Sequence, residues 1–300
     1  MTAEPAPLPA ELAGRIAGAG LDPAGLTDLV DRALAEDLGG GTDVTTLATI
    51  GPERTDVGDF VVRAPGVVAG LLVAEVVMHR ASDGDCRLDQ PTREGEHVPA
   101  GTVAGTVRGR TQHLLTAERV ALNFLRHLSG IATLTRAFVD AVDGTGATIL
   151  DTRKTTPLLR SLEKYAVRCG GGTNHRMTLA DMALVKDNHI LAAGGVAEAF
   201  RRVHEAAGGV PIEIEVTDVE GARAAVGAGA TRLLLDNMSP ARLAECVAAV
   251  GDRATLEASG GITLADVREV AESGVDLISV GALTHSAGDL DIALDLRESA

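Results

Sequence analysis

Three hundred residues, 45% of them apolar and 23% charged, suffice for one large core or two domains of an ordinary globular chain. A formal charge of −15 argues against a nucleic-acid binder, and one Tyr, four Phe and no Trp leave few platforms for stacking bases. The three cysteines are widely spaced, no basic start leads into an apolar run, and no stretch reaches membrane-spanning length. The expectation is a cytoplasmic protein with reduced thiols, no signal peptide and no membrane span.

In chain order, residues 1–10 read as a loose tail. Ala24 to Leu38 has helical apolar spacing through Leu26, Leu29, Val30, Ala33 and Leu34, and runs into the glycines of EDLGGGTDVTT. From Asp56 to Arg110, short apolar runs broken by Gly and Pro predict several strands and one helix around Leu71–Arg80, forming a mixed sheet of their own. TAERVALNFLRHLSGIATLTRAFVDAV then supplies one or two helices, with Thr116 as an N-cap and Ser129-Gly130 as a break.

Beyond this point the pattern is regular. Apolar runs recur at TILD (148–151), MALVK (182–186), PIEIEV (211–216), RLLLD (232–236), ATLEAS (254–259) and DLISVG (276–281), mostly separated by helical stretches. Continuous rather than alternating runs mark strands buried on both faces, and strand–helix–strand spacing marks parallel β/α units. Either a barrel short of eight strands or an open doubly wound sheet fits about six such units.

Charge is unevenly placed. Seven Lys or Arg stand against four acids between Ile149 and His189, while the rest of the chain holds 20 basic residues against 38 acids. Such an island in an acidic chain suits a polyanion pocket, although Arg160, Lys164 and Arg168 read more simply as a solvated helix face. Polar residues collect where these strands end: Asp151 and Arg153, Lys186, Glu215, Asp236, Ser259 with Gly260 and Gly261, and Gly281. The carboxyl ends of parallel strands are where barrels and open sheets place their sites. Alternation puts Glu213 and Glu215 on one face, with Glu215 nearer the site and Glu213 paired deeper inside. Asp236 with Glu215 would suit a hard cation such as Mg²⁺, and the late glycines would suit a phosphate. Arg153, Lys154, His175, Arg176 and Lys186 supply cations, the arginines with a fork suited to a dicarboxylate. On spacing alone, His175 reads equally as a ligand or as a structural histidine.

The strings ERVALNFLRHLSGIATLT, DTRKTTP, EKYAVRCGGGTNHR, KDNH, EIEV, LLLDN and EASGGI, with EDLGGGTDVTT near the start, together resemble the quinolinate phosphoribosyltransferase family over residues 34 to 286. The resemblance implies an N-terminal α/β sandwich domain over 1–127, joined by the terminal segment 287–300, and an incomplete α/β barrel of six or seven strands over 128–286. It implies transfer of a phosphoribosyl group from 5-phosphoribosyl 1-pyrophosphate to quinolinate, with Mg²⁺ and with loss of carbon dioxide. The partner is a second copy, as a homodimer or a hexamer of dimers, with Arg119 reaching the neighbouring site. By the same resemblance, Arg153, His175 and Arg176 hold the quinolinate carboxylates, and Lys154 and Lys186 lie between the two substrates. Glu215 and Asp236 stand near the ribose hydroxyls and the metal; Ser259, Gly260 and Gly281 form the 5′-phosphate loops. Two readings from other classes compete: a Schiff-base aldolase using Lys186, and a binding protein without chemistry.

Overall fold

The computed structural model describes residues 6–297; residues 1–5 of the expected tail and 298–300 of the terminal segment lie outside the described residues. The chain forms two compact units. One holds the residues up to Thr133, Ser161–Gly170 and those from Ala287 onward; the other holds Leu134–Arg160 and Gly171–Ser286. Among the described residues, no helix is long and apolar enough to cross a membrane.

Five strands belong to the first part of the chain: β1 (Thr55–Val62), β2 (Gly66–Val67), β3 (Arg87–Asp89), β4 (His97–Val98) and β5 (Val103–Arg110). Six follow in the second unit: β6 (Thr148–Leu150), β7 (Ala183–Val185), β8 (Ile212–Val216), β9 (Arg232–Asp236), β10 (Thr255–Ser259) and β11 (Leu277–Ser279). The last, β12 (Ile292–Leu296), returns to the first unit.

In the first unit the main sheet has the order β12-β1-β5-β3. Every pairing in it is antiparallel, so the expected mixed sheet is corrected to an antiparallel one. β5 lies between β1 and β3 and runs against both, and β12 enters against β1 from the far end of the chain, so every hydrogen-bonded neighbour is antiparallel. The helix Pro23–Leu38 forms where its apolar spacing predicts. The Asp22 carboxylate accepts from the amides of Ala24 and Gly25, Pro23 opens the first turn, and Gly39 closes the helix at φ +58°.

The segment after β5 departs from expectation. It is one unbroken helix, Thr111–Ala141, not two. Thr116 lies inside it, its hydroxyl donating to Asp43 rather than capping a helix. Ser129 is buried, donating to the Ala69 carbonyl and accepting from the Ala69 amide. A Cβ at Gly130 would sit 2.0 Å from the Gly288 carbonyl oxygen. This Ser-Gly pair therefore serves close packing rather than a break. The expected solvated face of Arg160, Lys164 and Arg168 is also corrected: of these three only Arg168 is exposed, and Lys164 is fully buried.

The second unit is the repeating one. Its six strands are parallel, in the order β6-β11-β10-β9-β8-β7. The edge strands β6 and β7 are not paired with each other among the described residues; an isolated bridge joins Leu150 to Thr173 instead. The result is an incomplete barrel. Its strand interiors are aliphatic, as burial on both faces requires: Leu233, Leu234 and Leu235 in β9, Ile214 in β8 and Ile278 in β11 are all buried. Short caps start the intervening helices, Asp218 accepting from the Gly221 amide and Ser239 from the Arg242 amide.

Candidate active site

Alternation along β8, β9 and β10 turns one set of side chains away from the helices and toward the sheet's concave side. There they line a cavity of about 420 Å³ at the carboxyl strand ends, bounded wholly by residues of the second unit. Arg153, Lys154, His175, Arg176, Lys186, Glu215, Asp236, Ser259 and Gly260 all line it. The structure therefore brings together residues spread over more than a hundred positions.

The deepest layer is ionic. Arg232, at the start of β9, donates to Glu213 at 2.8 Å and to Glu257 at 2.9 Å. His175 Nε2 lies 2.9 Å from the other Glu213 oxygen and 3.5 Å from Glu257. Both carboxylates are completely buried and His175 is 9% exposed. Burial alone would lower the His175 pKa, but the two carboxylates outweigh it and push it up to about 9. Opposing this pull, the Arg176 amide donates to His175 Nδ1 at 2.8 Å. An amide hydrogen at that distance leaves no room for a second ring proton, so the ring as it stands carries its proton on Nε2. Burial likewise opposes the charge of Glu213, yet its bonds to His175 and Arg232 keep its carboxyl below the usual range.

Above this layer stand the two arginines. Burial, then the neighbouring Arg153 guanidinium, lowers the Arg176 pKa, which is what two like charges held in one cleft produce. Arg176 donates to the Met182 carbonyl at 2.7 Å, while the buried Arg153 Nε has no hydrogen-bond partner among the described residues. The loop carrying Arg176 is pinned from below. Asp151, fully buried at the end of β6, accepts from the Asn174 side chain at 2.6 Å and from the His175 amide at 2.9 Å.

The rim is mixed in charge. Lys186 Nζ lies 3.3 Å from Glu215, and Asp236 accepts from the Asn237 side chain at 2.7 Å. Ser279 donates to Ser259 at 3.0 Å. Gly260 has φ +105°, and a Cβ there would meet the Asn237 side-chain oxygen at 2.3 Å. Gly281 does not line the cavity. It backs the Lys154 side chain, whose Cδ a Cβ at Gly281 would approach to 3.2 Å. Arg119 is exposed on the helix Thr111–Ala141 in the first unit and is not among the residues lining this pocket.

Two sets of side chains in the described residues could hold a divalent metal by distance: His175 with Glu213 and Glu257, and Asp85 with Cys86 and His113, each within 4.8 Å of one another. In the first set the Arg232 guanidinium already occupies both carboxylates. Glu215 and Asp236, in contrast, reach the open cavity with oxygen donors, the donor type that Mg²⁺ selects.

Arg232 and Glu257 are not among the residues the strand-end pattern singles out, although the sequence carries a signal for them. Arg232, Leu234 and Asp236 alternate along β9, and Glu257 precedes Ser259 by two along β10. Two charged residues on the same face as two site residues mark a polar barrel interior. Asp151 reads in the sequence as a strand-end acid; its part in holding Asn174 and His175 emerges only from the fold.

Fold and site thus define an incomplete parallel α/β barrel with an anion pocket at its strand ends. Sequence profiles described as the N-terminal and C-terminal domains of quinolinate phosphoribosyl transferase match residues 43–129 and 131–295. The nicotinate-nucleotide pyrophosphorylase (carboxylating) of Mycobacterium leprae is 46% identical over 273 residues, 90% of this chain and 96% of its own. Among solved structures, NadC of Streptococcus pyogenes superposes with a TM-score of 0.89 at 37% identity, covering 93% of this chain and 99% of that one. The nicotinate-nucleotide pyrophosphorylase of Francisella tularensis gives 0.87 at 35%, covering 91% and 96%. The chain belongs to the quinolinate phosphoribosyltransferase family.

Proposed function

We infer that this protein is a pentosyltransferase, the carboxylating nicotinate-nucleotide pyrophosphorylase. It transfers the phosphoribosyl group of 5-phosphoribosyl 1-pyrophosphate to quinolinate with loss of carbon dioxide, giving nicotinate mononucleotide and pyrophosphate for NAD biosynthesis. The observation that carries this reading is the pair Arg153 and Arg176, two guanidiniums crowded in one cleft with a buried donor left over. Such a pair is costly until an anion with two carboxylates fills it.

In this reading Arg153 and Arg176 hold the quinolinate carboxylates, with His175 ordering the loop beneath them. Lys154 and Lys186 face the substrates from the rim, where their charge offsets that of the leaving pyrophosphate. The ring nitrogen attacks the anomeric carbon while the bond to pyrophosphate breaks, so positive charge develops on the sugar. Glu215 and Asp236 steady that charge through the ribose hydroxyls, and Ser259 and Gly260 receive the 5′-phosphate. Glu215 and Asp236 would also hold Mg²⁺, which supplies charge neutralisation for the pyrophosphate. N-alkylation leaves a pyridinium, and that cation stabilises the carbanion formed when the adjacent carboxylate leaves as carbon dioxide; the carbanion then takes a proton, ultimately from water, to give nicotinate mononucleotide. Decarboxylation therefore needs no further electron sink.

The same reading includes a homodimer or a hexamer of dimers with Arg119 serving the neighbouring site, domains over 1–127 with 287–300 and over 128–286, and a cytoplasmic location. Three free cysteines suit a reducing compartment. The pairing of Lys186 with Glu215 suits an anion-holding cation better than a Schiff-base nucleophile. The test is incubation of purified protein with quinolinate, the phosphoribosyl donor and Mg²⁺, following nicotinate mononucleotide and carbon dioxide together. Equal yields requiring all three components are expected; turnover of nicotinate but not quinolinate would overturn the dicarboxylate assignment.

A further inference from the structure

A continuous run of polar contacts leads from the base of the barrel to a substrate-facing arginine. It begins at Arg232, whose Nε and Nη2 separately engage Glu213 at 2.8 Å and Glu257 at 2.9 Å. The second oxygen of Glu213 meets His175 Nε2 at 2.9 Å. The other ring nitrogen accepts from the amide of Arg176 at 2.8 Å, and the Arg176 side chain lines the pocket. We propose that Arg232 is a positioning residue for the anion pocket: by holding Glu213 and Glu257 it fixes the His175 ring, and the ring in turn fixes the peptide from which Arg176 projects.

Three observations favour positioning over simple core stability. Arg232 divides its fork between two strands, so Glu213 on β8 and Glu257 on β10 are aligned by one planar group on β9 between them. The link to His175 passes through Nε2, which bears a proton in both charge states of the ring, so the contact survives titration. Finally, both ring nitrogens are engaged. Glu213 takes Nε2–H and Nδ1 receives the next amide, while Asp151 accepts the His175 amide and holds the backbone beneath. Without Arg232, two buried carboxylates would be left beside the His175 ring, 2.9 Å from Glu213 and 3.5 Å from Glu257. The ring would be drawn to take a second proton, at the cost of its contact with the Arg176 amide. Glu257 already has one buried oxygen without a partner among the described residues, so this layer has little bonding to spare.

The inference rests on the reading of Arg176 as a quinolinate ligand. Its test compares Arg232→Met, Arg232→Lys and the double variant Arg232→Met/Glu257→Gln with the wild type. In steady-state assays the KM for quinolinate should rise about tenfold or more in Arg232→Met, while that for 5-phosphoribosyl 1-pyrophosphate stays within about twofold. Arg232→Lys should be intermediate, and the double variant should recover much of the loss because the uncompensated charge is gone. A crystal structure of the double variant or of Arg232→Lys gives a second readout that needs no substrate: a turned His175 ring or a moved 175–176 peptide is expected in the lysine variant. A lower melting temperature with both KM values unchanged, or an unmoved His175 in the lysine variant, would overturn the inference. A wild type that does not turn over quinolinate fails the functional reading instead, and the crystallographic comparison then decides this one.

Discussion

The hydroxyl of Thr284 donates to the carbonyl oxygen of Lys154 across 2.7 Å, joining the loop after β6 to the short helix after β11. Lys154 lines the pocket, and Thr284 behind it is 2% exposed. Thr284→Val keeps the shape and removes the donor, leaving the Lys154 carbonyl unsatisfied. The expected cost is about 1–3 kcal/mol of stability, read by denaturant unfolding. Because Lys154 faces the phosphoribosyl donor in the proposed arrangement, the KM for that substrate should rise more than the KM for quinolinate.

Arg153→Met and Arg176→Met each retain bulk and remove a fork. A hydrogen bond to a charged partner is worth about 1.5–3 kcal/mol, and about 1.4 kcal/mol is a factor of ten in affinity. Quinolinate should therefore bind at least tenfold more weakly to each variant by calorimetry. Unchanged affinity in both would remove these residues from the carboxylate pocket. Stability should change little or rise, since each substitution relieves the crowding of two cations.

Gly260→Ala tests the glycine turn after β10. The added Cβ would lie 2.3 Å from the Asn237 side-chain oxygen and 2.9 Å from its backbone nitrogen, in a backbone at φ +105°. The side chain can move but the main chain cannot. Strain of about 1–3 kcal/mol is expected, together with a raised KM for the phosphoribosyl donor. A variant with wild-type melting temperature and kinetics would show that the turn does not need glycine.

The thiols should be inert in the folded protein. Burial first, with a smaller push from Asp85, raises the Cys86 thiol to about 11 despite its bond to Ser82. Burial and the Glu94 charge raise Cys169 to about 12, and burial raises Cys246. A raised thiol pKa means less thiolate at any pH below it, so at a pH of about 8 Cys86 should alkylate roughly a hundredfold, and Cys169 roughly a thousandfold, more slowly than a free cysteine. Rates should climb as pH rises toward those values, or at once on unfolding. Mass spectrometry after iodoacetamide treatment measures this; fast labelling at native pH would contradict it.

Much of the second unit is legible residue by residue. Each apolar run from TILD to DLISVG becomes a strand within two residues of its expected ends, because a parallel strand buried on both faces must be apolar throughout. The strand-end positions of Lys186, Glu215, Asp236 and Ser259 follow from those ends, and all four reach the same cavity. The first unit is less legible in its sequence. Its sheet draws on β12, more than two hundred residues after β1, and no local pattern announces such a pairing. The unbroken helix through Ser129-Gly130 has the same origin, since the close approach of Gly288 that employs Gly130 is a tertiary contact.

His175 shows the division most clearly. Spacing along GGGTNHR suits a ligand and a structural histidine equally, and the fold makes it a buried residue, hydrogen-bonded to Glu213, that also lines the pocket. Local sequence by itself determined the strand pattern, the apolar interior and the family motifs, because these depend on side-chain chemistry and on periods of two and 3.6 residues. Only the tertiary structure decided that Arg232, Glu213, Glu257 and His175 share one buried layer and that Arg153 crowds Arg176. Such pairings depend on which strands become neighbours, and a charge is tolerated inside a barrel only when its partners arrive from other strands.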